Sequence, residues 1–211
     1  MTDADWYAAE SPEPLLAWLR TQPPHPQATR ITFLYAAACY RLNWDAHDPA
    51  IRAVVEMLEA RALSRVEPVP IKSFLQPMLT LFAGDLTGAI GQVLALSGAG
   101  TAALTEMATQ STRVLGAEAM AQVDLLREFH PPPSAVNQSL SFTRNLETIA
   151  SLATQIDDRG EYHLLPMLAD LLDDAGADAA TISHCRSFTM HCRGCWAIER
   201  IVDFLRKTQQ N

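Results

Sequence analysis

Along most of the chain apolar residues recur at spacings of three and four, the period of an α-helix, and almost nowhere do they alternate as strands require. Ile51, Val54, Val55 and Leu58 fall at i, i+3, i+4 and i+7, while Glu56, Glu59 and Arg61 lie off that stripe. Ile198, Ile201, Val202 and Leu205 form a second such stripe in a last helix expected from Gly194 to Lys207. Between them, Leu164, Leu165, Leu168, Leu171 and Leu172 make a third, with Pro166 tolerated in the first turn and Gly176 closing the helix in a left-handed conformation. The pattern predicts an all-α fold, an irregular bundle of roughly nine to eleven helices with no sheet.

Punctuation residues divide these helices. Asp3 to Ala9 is a first short element, and Ser11-Pro12-Glu13-Pro14 opens a second. Pro23-Pro24-His25-Pro26 cannot continue a helix and reads as a stiff linker. The segment from Thr29 to Asn43 is apolar nearly all round and is expected at the bundle centre. Asp48-Pro49 starts the helix carrying the Ile51 stripe, and Val66 to Pro70 breaks the chain again. A helical segment from Glu106 to Phe129 ends at His130-Pro131-Pro132-Pro133. This triple proline separates an N-terminal helical part, residues 1–130, from a C-terminal part, residues 131–211, the two folding as one compact unit. Helices are expected near Leu140 to Asp157 and, capped by Asp178, in the segment before the last helix.

Composition narrows the classes. Hydrophobic residues make up 48% of the 211, enough to build a core and exclude general disorder. Sixteen Lys and Arg against 24 Asp and Glu leave a formal charge of −8, and the basic residues are scattered, so nucleic acid is not an expected partner. The N-terminus has neither a positive nor an apolar stretch, so no signal peptide is read and a cytoplasmic location with reduced thiols is expected. Leu86 to Thr105 is uncharged and of spanning length, but its Gly88, Gly91, Gly98 and Gly100 suit short buried helices better than a membrane span.

The densest chemistry lies at residues 184–195, where three of the four cysteines and two of the six histidines cluster. Cys192 and Cys195 have the CxxC spacing that lets two thiolates chelate one ion, and Cys185 or His184 with His191 can complete a tetrahedral set. The metal candidates are therefore Cys185, His191, Cys192 and Cys195, with zinc as the ion; the competing reading is that these cysteines pack as small apolar side chains. A redox reading of Cys192-Arg193-Gly194-Cys195 lacks the βαβ setting usual for such motifs. Arg186, His191 and Arg193, with Trp196, can line an anion pocket, against the plainer reading that the arginines pair with Asp170, Asp173, Asp174 and Asp178. Asp157-Asp158 and Asp173-Asp174 are neighbours in sequence that do not face each other on a helix. No nucleophile elbow, phosphate loop, dinucleotide fingerprint or HExxH is present, so the sequence favours a non-enzyme.

Several segments resemble a large bacterial family of hypothetical proteins of planctomycete type. Asp5-Trp6, Pro12-Glu13-Pro14-Leu15-Leu16 with Leu19-Arg20, and Ala36-Ala37-Ala38-Cys39-Tyr40-Arg41 with Trp44 are similar to its DPEPMLEFLR-like opening and following helix. Gln122 to Arg127 is similar to a central QADLLRDIF-like segment. Leu165 to Asp170, Asp174-Ala175-Gly176, and His184-Cys185-Arg186 with His191 and Arg193-Gly194-Cys195-Trp196 resemble its C-terminal pattern. The chain departs from that pattern at Cys192, where the family has an apolar residue, and has only Cys39 where it often has a cysteine pair. The resemblance implies no activity, and a shared metal site would rest on Cys185, His191 and Cys195. The expected function is a small helical protein that binds another protein or itself; the alternatives are a zinc or redox module on Cys185 to Cys195 and an enzyme with a pocket at Arg186, His191 and Arg193.

Overall fold

A computed structural model describes residues 1–23, 28–42, 44–46, 49–63, 119–136, 138, 140–142, 144–187 and 190–209. Among them every regular element is helical: α1 (Asp3–Ala8), α2 (Pro12–Leu19), α3 (Ala28–Arg41), α4 (Pro49–Leu63), α5 (Ala119–Phe129), α6 (Pro133–Val136), α7 (Leu146–Arg159), α8 (Leu165–Asp174), α9 (Ala179–Arg186) and α10 (Trp196–Gln209), with 3-10 turns at Trp44–Ala46 and Tyr162–Leu164. The all-α architecture expected from the periodicity is the one observed. The Pro23 to Pro26 linker lies almost wholly outside the described residues, and the Val66 to Pro70 break and the uncharged run from Leu86 to Thr105 lie entirely outside them. No described helix is long and apolar enough to cross a membrane.

Contacts divide the chain into two units, one made of Met1–Ala8 with Leu126–Asn211 and the other of Ala9–Leu125. The sequence reading put its boundary at the triple proline; the observed division falls after Ala8 and within α5. In the Ala9–Leu125 unit, α2 buries Pro12, Leu15, Leu16 and Leu19 on one face. Helices α3 and α4 pack together through Ala37, Tyr40 and Val55, with Trp44 against them. The Arg30 guanidinium donates to the Ala62 carbonyl at 2.8 Å, satisfying an acceptor that the end of α4 leaves free. Arg41 pairs with Glu59 and covers the Trp44 ring at 4.5 Å.

In the other unit the N-terminal helix explains why Met1–Ala8 joins the C-terminal residues. Thr2 and Asp5 cap α1 reciprocally, the Asp5 carboxylate accepting from the Thr2 N–H at 2.8 Å and the Thr2 hydroxyl accepting from the Asp5 N–H at 3.2 Å. At its other end the Arg127 guanidinium donates to the carbonyls of Trp6 and Tyr7 at 3.0 and 2.7 Å. Asp3 accepts from the Ser134 N–H at 2.9 Å. Trp6 is fully buried.

The core of this unit is formed by α7, α8, α9 and α10, with Leu140 and Phe142 from the connection ahead of α7. Those two residues were expected inside a helix beginning near Leu140. The helix starts at Leu146 instead, because Asn145 takes a left-handed conformation (φ 57°) that redirects the chain before α7. Leu165, Leu168 and Leu172 of the leucine stripe are fully buried, and Leu164 and Leu171 pack against the same core. Helix α8 ends as expected at Gly176 (φ 79°): the Gly176 N–H donates to Asp173 and the Ala177 N–H to Leu172, the paired bonds of a Schellman motif. Asp178 then caps α9, accepting from the Thr181 N–H at 3.0 Å. Ile198, Ile201, Val202 and Leu205 bury the inner face of α10.

Candidate metal centre

Three segments of the Leu126–Asn211 part meet at one point. The proline run stops α5 just after Phe129, which leaves Glu128 in its last turn. Helix α9 carries His184 two residues before its end. The segment ahead of α10 turns at Gly194 (φ 93°), with the Cys195 N–H donating to the Cys192 carbonyl at 3.2 Å. That turn presents His191 and Cys195 to the same point. One ligand atom from each of Glu128, His184, His191 and Cys195 lies within 4.8 Å of all the others.

Glu128 is the hub, with a side chain only 1% exposed. Its Oε1 accepts the Cys192 N–H at 3.1 Å, pinning the turn. Its Oε2 faces two rings, 3.0 Å from His191 Nδ1 and 3.2 Å from His184 Nε2. Burial pushes the Glu128 carboxyl up, but the hydrogen bonds and charges of His184 and His191 outweigh it and hold the group below the ordinary carboxylate range. For His191 burial pushes downward, and the Glu128 bond and charge, with the Ser187 carbonyl, raise it overall. Because His191 Nε2 lies 3.3 Å from that carbonyl and Nδ1 faces a carboxylate, both ring nitrogens point at acceptors. That arrangement favours the protonated ring.

The sulfur of Cys195 lies 3.2 Å from His184 Nε2. Burial, then the charges of Glu128 and Cys185, push its thiol well above the ordinary range, while the N–H groups of Ala197 and Ile198 at the start of α10 pull the other way. A cation is the charge that would convert it to a thiolate. The rings of Trp196 and His191 pack against His184 at 5.0 and 5.2 Å between centroids.

The donor set suits zinc. Imidazole, thiolate and carboxylate are its usual ligands, and tetrahedral bonds of that kind set neighbouring donor atoms roughly 3.3–3.6 Å apart. Three separations, Glu128 to His191 at 3.0 Å, Glu128 to His184 at 3.2 Å and His184 to Cys195 at 3.2 Å, lie close to those edges, and the four donors all lie within 4.8 Å of one another, so an ion would draw the wider pairs together. His191 Nδ1 can exchange its proton for the ion while Nε2–H keeps its bond to Ser187, which fixes the ring's orientation.

Of the residues named from sequence, the structure brings His191 and Cys195 into the cluster together with His184, the alternative ligand. Cys185 and Cys192 are not among the four converging residues. Cys185 is fully buried, and burial, helped by Glu128 and Asp178, pushes its thiol up to about 12, as expected of a packing residue. Cys192 is half-buried at the turn and contributes its backbone N–H to Glu128. Sequence reasoning missed Glu128, which stands 63 residues before His191. Its one sequence signal is position: Glu128 falls three residues after Leu125, at the edge of the stripe that buries Gln122, Leu125, Leu126 and Phe129. The anion pocket is not assembled as drawn from sequence. Arg186 lies at the surface and pairs with Asp170 at 2.9 Å and Asp173 at 2.8 Å, and Asp178 pairs with Arg200 at 3.1 Å.

Neither a family model, nor a curated protein, nor a solved structure matches the chain.

Proposed function

We propose that the chain is a zinc-binding protein in which Glu128, His184, His191 and Cys195 hold one ion as a structural cross-link. The observation that carries the reading is the convergence of these four side chains, three of them buried, within 4.8 Å. Four protein donors complete a tetrahedral ion and leave no position for substrate, which favours a structural role over catalysis. The ion would join the end of α5 to α9 and to the turn before α10, which lie dozens of residues beyond α5 in the chain, so its binding free energy would add to folding stability. This reading ranks ahead of the protein-interaction module because it rests on a specific arrangement of side chains.

Metal analysis and thermal unfolding of the full chain with added zinc test it. The expected result is one zinc per chain and a rise in Tm, with about 2.7 kcal/mol of stabilisation at a hundredfold excess over Kd. Cys195→Ser and His184→Ala weaken binding by about a hundredfold or more, whereas Cys185→Ser leaves it unchanged. A chain whose Tm does not respond to zinc, or one that loses zinc through Cys185→Ser but not Cys195→Ser, overturns the assignment.

A further inference from the structure

We infer that Cys192 is a redox-active partner of Cys195, so that oxidation by a hydroperoxide joins the two sulfurs and releases the ion. The inference rests on the metal reading above and extends it to regulation. Its geometric basis is the turn closed by the Cys195 N–H and the Cys192 carbonyl at 3.2 Å. Such a turn brings the first and fourth Cα atoms within about 7 Å, the range in which a disulfide can form. The two cysteines differ in access: Cys195 is 1% exposed inside the cluster, while Cys192 is half-buried at its rim.

The chemistry closes with hydrogen peroxide as the only co-reactant. The Cys192 sulfur attacks one peroxide oxygen; the S–O bond forms, the O–O bond breaks, and the departing hydroxide takes the thiol's proton to leave as water. The Cys195 thiolate, until then on the metal, attacks the sulfenic sulfur. The S–S bond forms, the S–O bond breaks, and the second hydroxide takes a proton from solvent. The two sulfurs are oxidised by two electrons in all, the peroxide is reduced to two waters, and the ion loses its one sulfur ligand. Glu128, His184 and His191 remain, so the ion would be held by three protein donors instead of four and would yield more readily to a competing chelator.

The test treats the zinc-loaded full chain with hydrogen peroxide beside a colorimetric zinc chelator, then maps the cysteines by peptide mass spectrometry. The expected result is zinc release in step with a Cys192–Cys195 cross-link, both reversed by a dithiol reductant and added zinc. Cys192→Ser and, as a second variant, Cys192→Ala bind zinc as the parent chain does but release it about tenfold more slowly or worse. Release at the parent rate from both variants, or a cross-link between Cys185 and Cys195, overturns the inference and leaves the zinc site standing. A parent chain that binds no zinc overturns the site, and the switch falls with it.

Discussion

At the scale of single residues, two features decide local structure. Glu128 stays ionised in a buried position because two imidazoles and one backbone N–H face its two oxygens. Gly176 is required for a different reason. A Cβ added there meets nothing within 4 Å, so sterics do not exclude a side chain; its φ of +79° does. Gly176→Ala is therefore expected to cost about 1–2 kcal/mol through backbone strain alone. Urea denaturation of the full chain measures it, and a variant as stable as the parent would contradict the left-handed C-cap.

The helices owe their stability to their buried faces rather than to intrinsic propensity. On α8, Leu168 is fully buried while Met167 beside it is 57% exposed. Leu168→Ala should cost about 2–5 kcal/mol by lost burial and cavity formation, and Met167→Ala about 0.5 kcal/mol or less. Comparing the two unfolding midpoints checks the assignment of the core face. That face was legible in advance, because the leucine spacing is a property of one helix and one stretch of sequence. The start of α7 was not, because Leu140 and Phe142 are as buried as helical core residues and their periodicity alone does not distinguish a helix from an extended connection packed on it. The ring of Phe142 packs on that of Phe204, 4.5 Å between centroids, a contact made only when α10 is in place.

For the molecule as a whole, the paired charges at the candidate metal centre predict a dependence on pH. Glu128 is lowered from its ordinary value of 4.5, so its contribution is fully present above that value and is lost as pH falls through the depressed one. His191 is raised from 6.5, so its contribution is fully present below that value and fades as pH rises through the elevated one. Metal-free protein is then most stabilised by this pair between pH 4.5 and 6.5. Zinc held there would reverse the upper slope, because His191 and Cys195 would have to give up protons to bind it and would do so more readily as pH rises. Melting curves from pH 5 to pH 8, with zinc and with a chelator, should diverge progressively toward the alkaline end; parallel curves would contradict metal binding at these residues.

What the sequence by itself determined is what neighbouring residues can encode: helical period, the caps at Asp178 and Gly176, the stop after α5, and the concentration of histidine and cysteine near residues 184–195. It also named His191 and Cys195, because they stand close together in a segment with the CxxC spacing of Cys192 and Cys195. Only the tertiary structure decided that Glu128 completes the set, that His184 rather than Cys185 faces it, and that Cys192 stands at its rim. His184 and Cys185 are adjacent on α9 and point in different directions, so which one reaches the cluster depends on how that helix is rotated against the core. Glu128 enters from another helix, brought there by the packing of Leu126 and Phe129, and no local spacing records a meeting made across 63 residues of chain.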